Sequence, residues 1–307
     1  MFIIRHKKIF IAASAILVAA SLISLFVFGV RVGIDFKGGA LSEIVYNDAR
    51  PEAEAVRSKL AGLGLGSVSV QPTGEKGYIL KSRDLTEEEH QKLLGALAKT
   101  GAFEETSFNS IGPSVGRELT KKAVIAVVLV ALAIICFIAF AFRRVSGPSN
   151  TGRHGVASWK YGVIAIVALL HDITIPAGIF VYLSRYLGAE IDTLFVVALL
   201  TILGLSVSDT IVIFDRIREN LKKEASAKRT FPEVVGESLN QSFARSVSTS
   251  LTVILVLLAL FFFGPETTKY FALMLVTGMF FGTYSSLFLA SPLLVTLEEW
   301  QRKRKQA

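Results

Sequence analysis

The chain has 307 residues, of which 52% are hydrophobic, and 33 Lys and Arg stand against 25 Asp and Glu for a net charge of +8. A mean hydropathy of +0.54 is too high for a water-soluble domain, and the apolar residues are gathered in long runs. One cysteine, Cys136, excludes an internal disulfide and a cysteine metal cluster, and no Gly-Lys-Ser/Thr phosphate loop or His-Glu-x-x-His pair occurs.

In chain order, residues 1–8 form a short basic N-terminus and residues 9–29 an apolar run. That run is too long for a signal-peptide core and ends in no small-x-small cleavage site, so it reads as an uncleaved first spanning helix. Residues 30–119 are mixed and polar, with the pattern of strands and helices. Leu41–Asn47 alternates as a strand. Pro51 opens a helix through Leu60, with Glu52 and Glu54 where the helix dipole favours acids. Ser67–Gln71 and Tyr78–Lys81 read as a hairpin across the turn Pro72–Gly77. Thr86 with Glu89 three residues on predicts a capped second helix to Lys99, and Ala102–Ser110 a last strand. The order is β-α-β-β-α-β, a ferredoxin-like α+β unit. It shows no nucleophile-base pair or metal set, so contact rather than chemistry is its expected role.

Five further apolar runs follow, at 120–142, 161–184, 193–214, 245–264 and 269–295. Each is near or above the ~20 residues that a spanning helix needs. The expected fold is therefore an α-helical membrane protein of six transmembrane helices, with the α+β domain between helices 1 and 2. Lys and Arg number three in 1–8, four in 143–160, seven in 215–245 and four in 298–307, against one each in 185–193 and 264–269. This asymmetry predicts that 1–8, the loop 143–160, the helical loop 215–244, with a break before Pro232, and the tail 296–307 lie in the cytoplasm, with both termini inside and the α+β domain outside. Basic charge placed this way speaks for membrane lipid and against nucleic acid.

The chemistry sits in the fourth run. Asp209 interrupts an apolar stretch, where a lone acid costs roughly 2.5–3.5 kcal/mol on insertion scales and marks a candidate proton site. The competing reading is a carboxyl bonded to neighbouring helices for packing alone. Arg245, opening the fifth run from the same face, can point inward along its helix to meet Asp209. Asp172, mid-way along the third run and one turn before Pro176, is a candidate upstream step. Asp215 at the inner boundary is a further candidate, with a solvated helix cap as its competing reading. Ser208, Thr210 and His171 offer polar support, and His171 also reads as a packing residue. Gly204 with Ser208, and the stripe Gly278, Gly282, Ser286 and Ala290, would let helices approach closely. No metal site and no cofactor is expected, only protons as coupling ion.

GIDFKGG (Gly33–Gly39), IGPSVGREL (Ile111–Leu119), LHD (Leu170–Asp172), SDTIVIFDRIREN (Ser208–Asn220), NQSFARS (Asn240–Ser246) and GTYSS (Gly282–Ser286) together resemble the SecF family of the bacterial Sec protein-export machinery. The resemblance covers essentially the whole chain. Where the family usually has Asn, this chain has Ser208 before the acid and Ser248 in the fifth run. The resemblance implies a non-enzymatic, multi-pass subunit of the bacterial plasma membrane. It implies SecD and the SecYEG channel as partners, with YajC as a further candidate, and unfolded secretory preproteins as clients. The proton motive force would drive translocation and release on the outer face. The competing function is a proton-coupled small-molecule exporter of the RND type, which would use Asp209 equally but needs an enclosed drug cavity.

Overall fold

The computed structural model describes residues 2–142, 158–223 and 229–306. Most of the expected loop 143–160, and 224–228 of the expected loop 215–244, lie outside the described residues. The chain divides into two compact units. One comprises residues 1–31, 126–189 and 194–307, and the other residues 32–125 and 190–193.

The helical unit starts with a single turn, α1 (Phe2–Arg5), and α2 (Lys7–Phe28). The second unit opens on another single turn, α3 (Ile34–Lys37), and continues with β1 (Gly39–Tyr46), α4 (Ala53–Leu60), β2 (Ser69–Thr73), β3 (Gly77–Ser82), α5 (Glu87–Leu97) and β4 (Phe103–Ile111). Its sheet order is β2-β3-β1-β4, every pairing antiparallel, so the βαββαβ order expected from the alternation and capping signals is present. Residues on one face of the sheet meet both helices around Ile44, Tyr46, Val56, Leu60, Tyr78, Leu80, Leu93 and Leu97, all at most 2% exposed. Burying each such side chain contributes on the order of 1.5–3 kcal/mol. One irregularity, a register shift between Glu43 and Ile44 on β1, has no sequence signal.

The cap of α5 has the expected reciprocal form. The Glu89 amide donates to Thr86 Oγ1 at 3.4 Å and the Thr86 amide to Glu89 Oε2 at 3.0 Å. Arg83 pairs with the same carboxylate. The Arg83 guanidinium, then the Thr86 amide, pulls the Glu89 carboxyl from an ordinary 4.5 down to about 2. A depressed acid stabilises the fold above its unfolded value and loses that contribution as pH falls towards its folded value. The protection of amides 87–97 of the full chain against hydrogen exchange, taken relative to the intrinsic rate at each pH, is therefore expected to fall between pH 4.5 and 2, and Glu89→Gln to lower it at pH 5 while flattening this step. An unchanged acid response in Glu89→Gln would assign the step elsewhere.

The helical unit continues with α6 (Pro113–Phe142, of which residues 113–125 belong to the second unit), α7 (Ser158–Leu187), α8 (Thr193–Lys223), α9 (Phe231–Phe263), α10 (Lys269–Tyr284) and α11 (Ser291–Gln306). A π-helical stretch, Ser285–Ala290, joins the last two without a break. Six helices are long and apolar enough to cross a membrane, the last formed by α10, the π stretch and α11 together. Several overrun the apolar runs, α6 by starting at Pro113 and the last helix by continuing past Val295 to Gln306. α8 passes Phe214 and carries Asp215–Lys223 on the same helix, and α9 begins at Phe231 rather than near Arg245. A Thr230–Glu233 capping box, with Pro232 in the first turn, sets that early start. Hydropathy registers only the apolar part of such a helix.

The unit's core gathers Ile138, Tyr161, Ala168, Leu203, Ile213, Phe214, Leu239 and Leu294. Tyr161 meets the Phe214 ring edge-on at 5.4 Å between centroids. Many other apolar side chains face outward, among them Leu129 at 60% and Phe262 at 68% exposed, which suits a lipid surround and no aqueous one.

Candidate functional site

Within its apolar runs the helical unit carries two acids, Asp172 and Asp209. Asp172 is on α7 and fully buried. Its Oδ1 accepts from His171 Nδ1 at 2.8 Å, and its Oδ2 accepts from the hydroxyls of Ser206 on α8 and Ser285 of the π stretch, the latter at 2.7 Å. Pro176, four residues on, has no N–H, which leaves the Asp172 backbone carbonyl without its helical donor. His171 Nε2 is buried with no partner, and the imidazole lies between the Phe281 and Tyr284 rings, 6.4 and 6.1 Å between centroids.

Asp209 is on α8, half-buried. Its Oδ1 accepts from Ser246 on α9 at 2.7 Å, and its Oδ2 has no hydrogen-bond partner. Ser286, next to Ser285, shares a 2.8 Å contact with Thr210, the residue after Asp209. Adjacent serines of one π turn thus meet Asp172 and the neighbour of Asp209. Such turns widen a helix by one residue per turn and recur at functional sites.

Asp209 also lines a cleft of about 150 Å³ between α8, α9 and α10, together with Ser208, Arg245, Ser246, Thr249, Gly278, Gly282 and Thr283. Arg245 borders this cleft but forms no ion pair with Asp209, and its side chain is exposed. The direct meeting expected of the pair is absent from this conformation. Asp215 stands apart: its carboxylate is 69% exposed and pairs with Arg218 at 3.6 Å. It is solvated but lies inside α8, which runs on to Lys223, and not at the helix cap of its competing reading. Ser208 is exposed at the cleft, and Ser206 two residues earlier meets the acid on α7 instead.

The small residues sort unequally. A Cβ on Gly278 would run into the Ile202 side chain, and one on Gly282 would sit 3.4 Å from Ser206 Cβ. With the Ser286–Thr210 contact, α10 and α8 pair at Gly278–Ile202, Gly282–Ser206 and Ser286–Thr210. Both members rise by four residues per step, so the helices run parallel in one register. Gly204 is different, because among the described residues nothing from another element lies within 4 Å of its missing Cβ. It faces outward, and its smallness serves no contact of that kind. Gly278→Ala is expected to cost about 1–3 kcal/mol by overpacking against buried Ile202, and Gly282→Ala well under that. Detergent thermal melts of the two variants check this ordering, and equal melts would remove the ladder.

Ser206, Ser246, Ser250 and Ser285 escaped the sequence reading, although all four are buried. Ser250 bonds Thr283. A signal was present: Ser206 and Thr210, and Ser242, Ser246 and Ser250, recur every four residues and so share helix faces.

A bundle of bilayer-length helices with buried acids and a βαββαβ unit inserted after the first helix defines a multi-pass membrane protein with an intramembrane polar centre. Comparison with known proteins then places it. The family model described as "Protein export membrane protein SecD/SecF, C-terminal" matches residues 92–151 and 156–300. The chain is 42% identical to the protein translocase subunit SecF of Thermobaculum terrenum, over 98% of this chain and 94% of that protein. It is 34% identical to the SecF of Anaerolinea thermophila, over 97% and 95%. Among solved structures it is similar to SecDF, a translocon-associated membrane protein from Thermus thermophilus, with 32% identity and a TM-score of 0.80. That match covers 96% of this chain but 38% of the SecDF chain. The crystal structure of SecDF in its super-membrane-facing form matches with a TM-score of 0.67 at 31% identity, over 99% of this chain and 39% of that one. The chain belongs to the SecF family of bacterial membrane proteins.

Proposed function

We propose that this chain is an accessory subunit of the Sec protein-export machinery. It works with SecD, beside SecYEG and with YajC as a further candidate neighbour, and uses the proton gradient to help unfolded preproteins leave on the outer face. The observation that carries this reading is Asp209. It is a carboxyl in a spanning helix, held by Ser246 through one oxygen, with the other buried and unmet beside a cleft. Family membership supports the export half of the reading, and the geometry of Asp209 supports the proton half. Taking up or releasing a proton there changes the charge between α8, α9 and α10, which is the kind of local event that biases a two-state element. Asp172, with His171, Ser206 and Ser285, is its neighbour in the relay. The cleft, at about 150 Å³, is well below the ≈300–1,000 Å³ of small-molecule pockets, which weighs against a drug exporter. Loss of gradient-dependent export in Asp209→Asn is the test.

The topology belongs to the same proposal: termini inside, α+β unit outside, in accord with the Lys/Arg asymmetry. In a Cys136→Ala background, Glu75→Cys in the exposed β2–β3 turn is expected to react with an impermeant thiol reagent added from outside. Lys222→Cys at the end of α8 is expected to stay unlabelled until the membrane is opened. The opposite pattern would invert the orientation.

A further inference from the structure

The motif GIDFKGG is the part of the chain that the proton site leaves unexplained. In the second unit it grips the short connection 190–193, the four residues immediately before and at the start of α8. Val32 and Ile191 form a parallel bridge, and the Gly33 amide donates to the Ile191 carbonyl at 2.8 Å. Asp35 Oδ2 accepts twice from Thr193, from its amide at 2.9 Å and from its hydroxyl at 2.5 Å. Lys81 on β3 pairs with Glu190 at 2.7 Å, both side chains largely covered. The glycines make the grip possible. A Cβ on Gly33 would lie 3.2 Å from the Ile191 carbonyl oxygen. Gly38 has φ +82°, and a Cβ on Gly116 at the start of α6 would lie 2.9 Å from the Gly38 nitrogen and the Phe36 oxygen.

Thr193 is the first residue of α8, and its amide is one of the donors that a helix cannot satisfy internally. An acid from a distant part of the chain supplies the acceptor, with a charge of the sign that the helix start favours. Asp209 lies sixteen residues further along the same unbroken helix, about 24 Å at the α-helical rise. We propose that Asp35 is a positioning residue that ties the α+β unit to α8, so that movement of that unit and the charge state of Asp209 are transmitted to one another through this clasp. The proposal rests on the reading of Asp209 as a proton site. It gives the GIDFKGG motif a role that a local turn does not require, because neither Asp35 hydrogen bond is made within the motif.

The test uses the full chain in its complex with SecD, reconstituted with SecYEG in vesicles that export an unfolded secretory protein with and without an imposed proton gradient. Asp35→Ala is expected to lose most of the gradient-dependent component and keep the gradient-independent export. Thr193→Ser, which retains both donors, is expected to behave as wild type, and Thr193→Val to fall between. A general folding role is separated by rescue. In Asp35→Ala with Cys136→Ala, paired Val32→Cys and Ile191→Cys substitutions sit across the β-bridge, at a spacing a disulfide accepts. Oxidation is expected to restore the gradient response, and reduction to remove it again. Full gradient response in Asp35→Ala, or no restoration by the disulfide, overturns the clasp. Asp209→Asn run alongside keeps the two readings apart. If it retains the response, the proton assignment of Asp209 fails, while the Asp35 and disulfide results still decide the clasp.

Discussion

Asp209→Asn is expected to give a folded, assembled protein whose contribution to export no longer responds to the proton gradient. The amide is nearly isosteric with the carboxyl. Its oxygen can keep the hydrogen bond from Ser246, and its new NH2 group faces the cleft where Oδ2 now has no partner. The net change in hydrogen bonding is on the order of 1 kcal/mol or less. Replacing an acid by an amide in a spanning helix also relieves part of an insertion cost of roughly 2.5–3.5 kcal/mol. Yield and melting temperature should therefore be close to wild type, while a group that can no longer exchange a proton cannot couple one. Arg245→Lys keeps a positive charge beside the cleft and loses the planar fork. With no ion pair to break in this conformation, it is expected to remain partly active. The measurement is export into sealed vesicles with and without an imposed gradient. A full gradient response in Asp209→Asn would make this carboxyl structural and move the relay into the partner subunit.

The spans and the α+β unit were legible in the sequence for one reason: each depends on a property that runs along the chain. Hydropathy over ~20 residues marks a spanning helix whatever it packs against. The Thr86–Glu89 cap and the alternation of β1 are local chemistry. Pairing between helices is not local. Gly204 and Gly278 look alike in sequence, yet Gly278 faces Ile202 and Gly204 faces no other element among the described residues, because the face a glycine presents depends on the neighbouring helix. The same limit separates Asp209 and Asp172, legible as acids in apolar runs, from Ser206, Ser246 and Ser285. A serine in a spanning helix can satisfy its hydroxyl on its own backbone, so only the fold shows which serines reach across. Ser285 does both, donating to the Gly282 carbonyl at 3.0 Å and to Asp172 at 2.7 Å.

The second large effect is expected at Asp172. Three donors converge on its carboxyl from α7, α8 and the π stretch, so the side chain is a tie between elements distant in sequence as well as an acid. Asp172→Leu keeps the branched shape, adds bulk in a packed place and removes every acceptor. Ser285 can fall back on the Gly282 carbonyl, but the His171 Nδ1–H and the Ser206 hydroxyl lose the partner they have here, and both residues are buried. Leaving a buried donor unsatisfied costs about 1–3 kcal/mol for each group, a large share of a typical 5–15 kcal/mol stability. Asp172→Leu is therefore expected to lower the melting temperature sharply and reduce the yield of assembled complex. Asp172→Asn should not. The hydroxyls can rotate, one of them accepting from the new NH2, and His171 can exchange tautomers to present an acceptor at Nδ1. A melting temperature for Asp172→Leu equal to wild type would show that the convergence of donors contributes little to the fold. The stable Asn variant then isolates the charge: it keeps the tie and cannot carry a proton as an acid does. A reduced gradient response in Asp172→Asn, at unchanged complex yield, is the result expected of a relay step beside Asp209, whereas an unchanged response would leave Asp172 as packing alone.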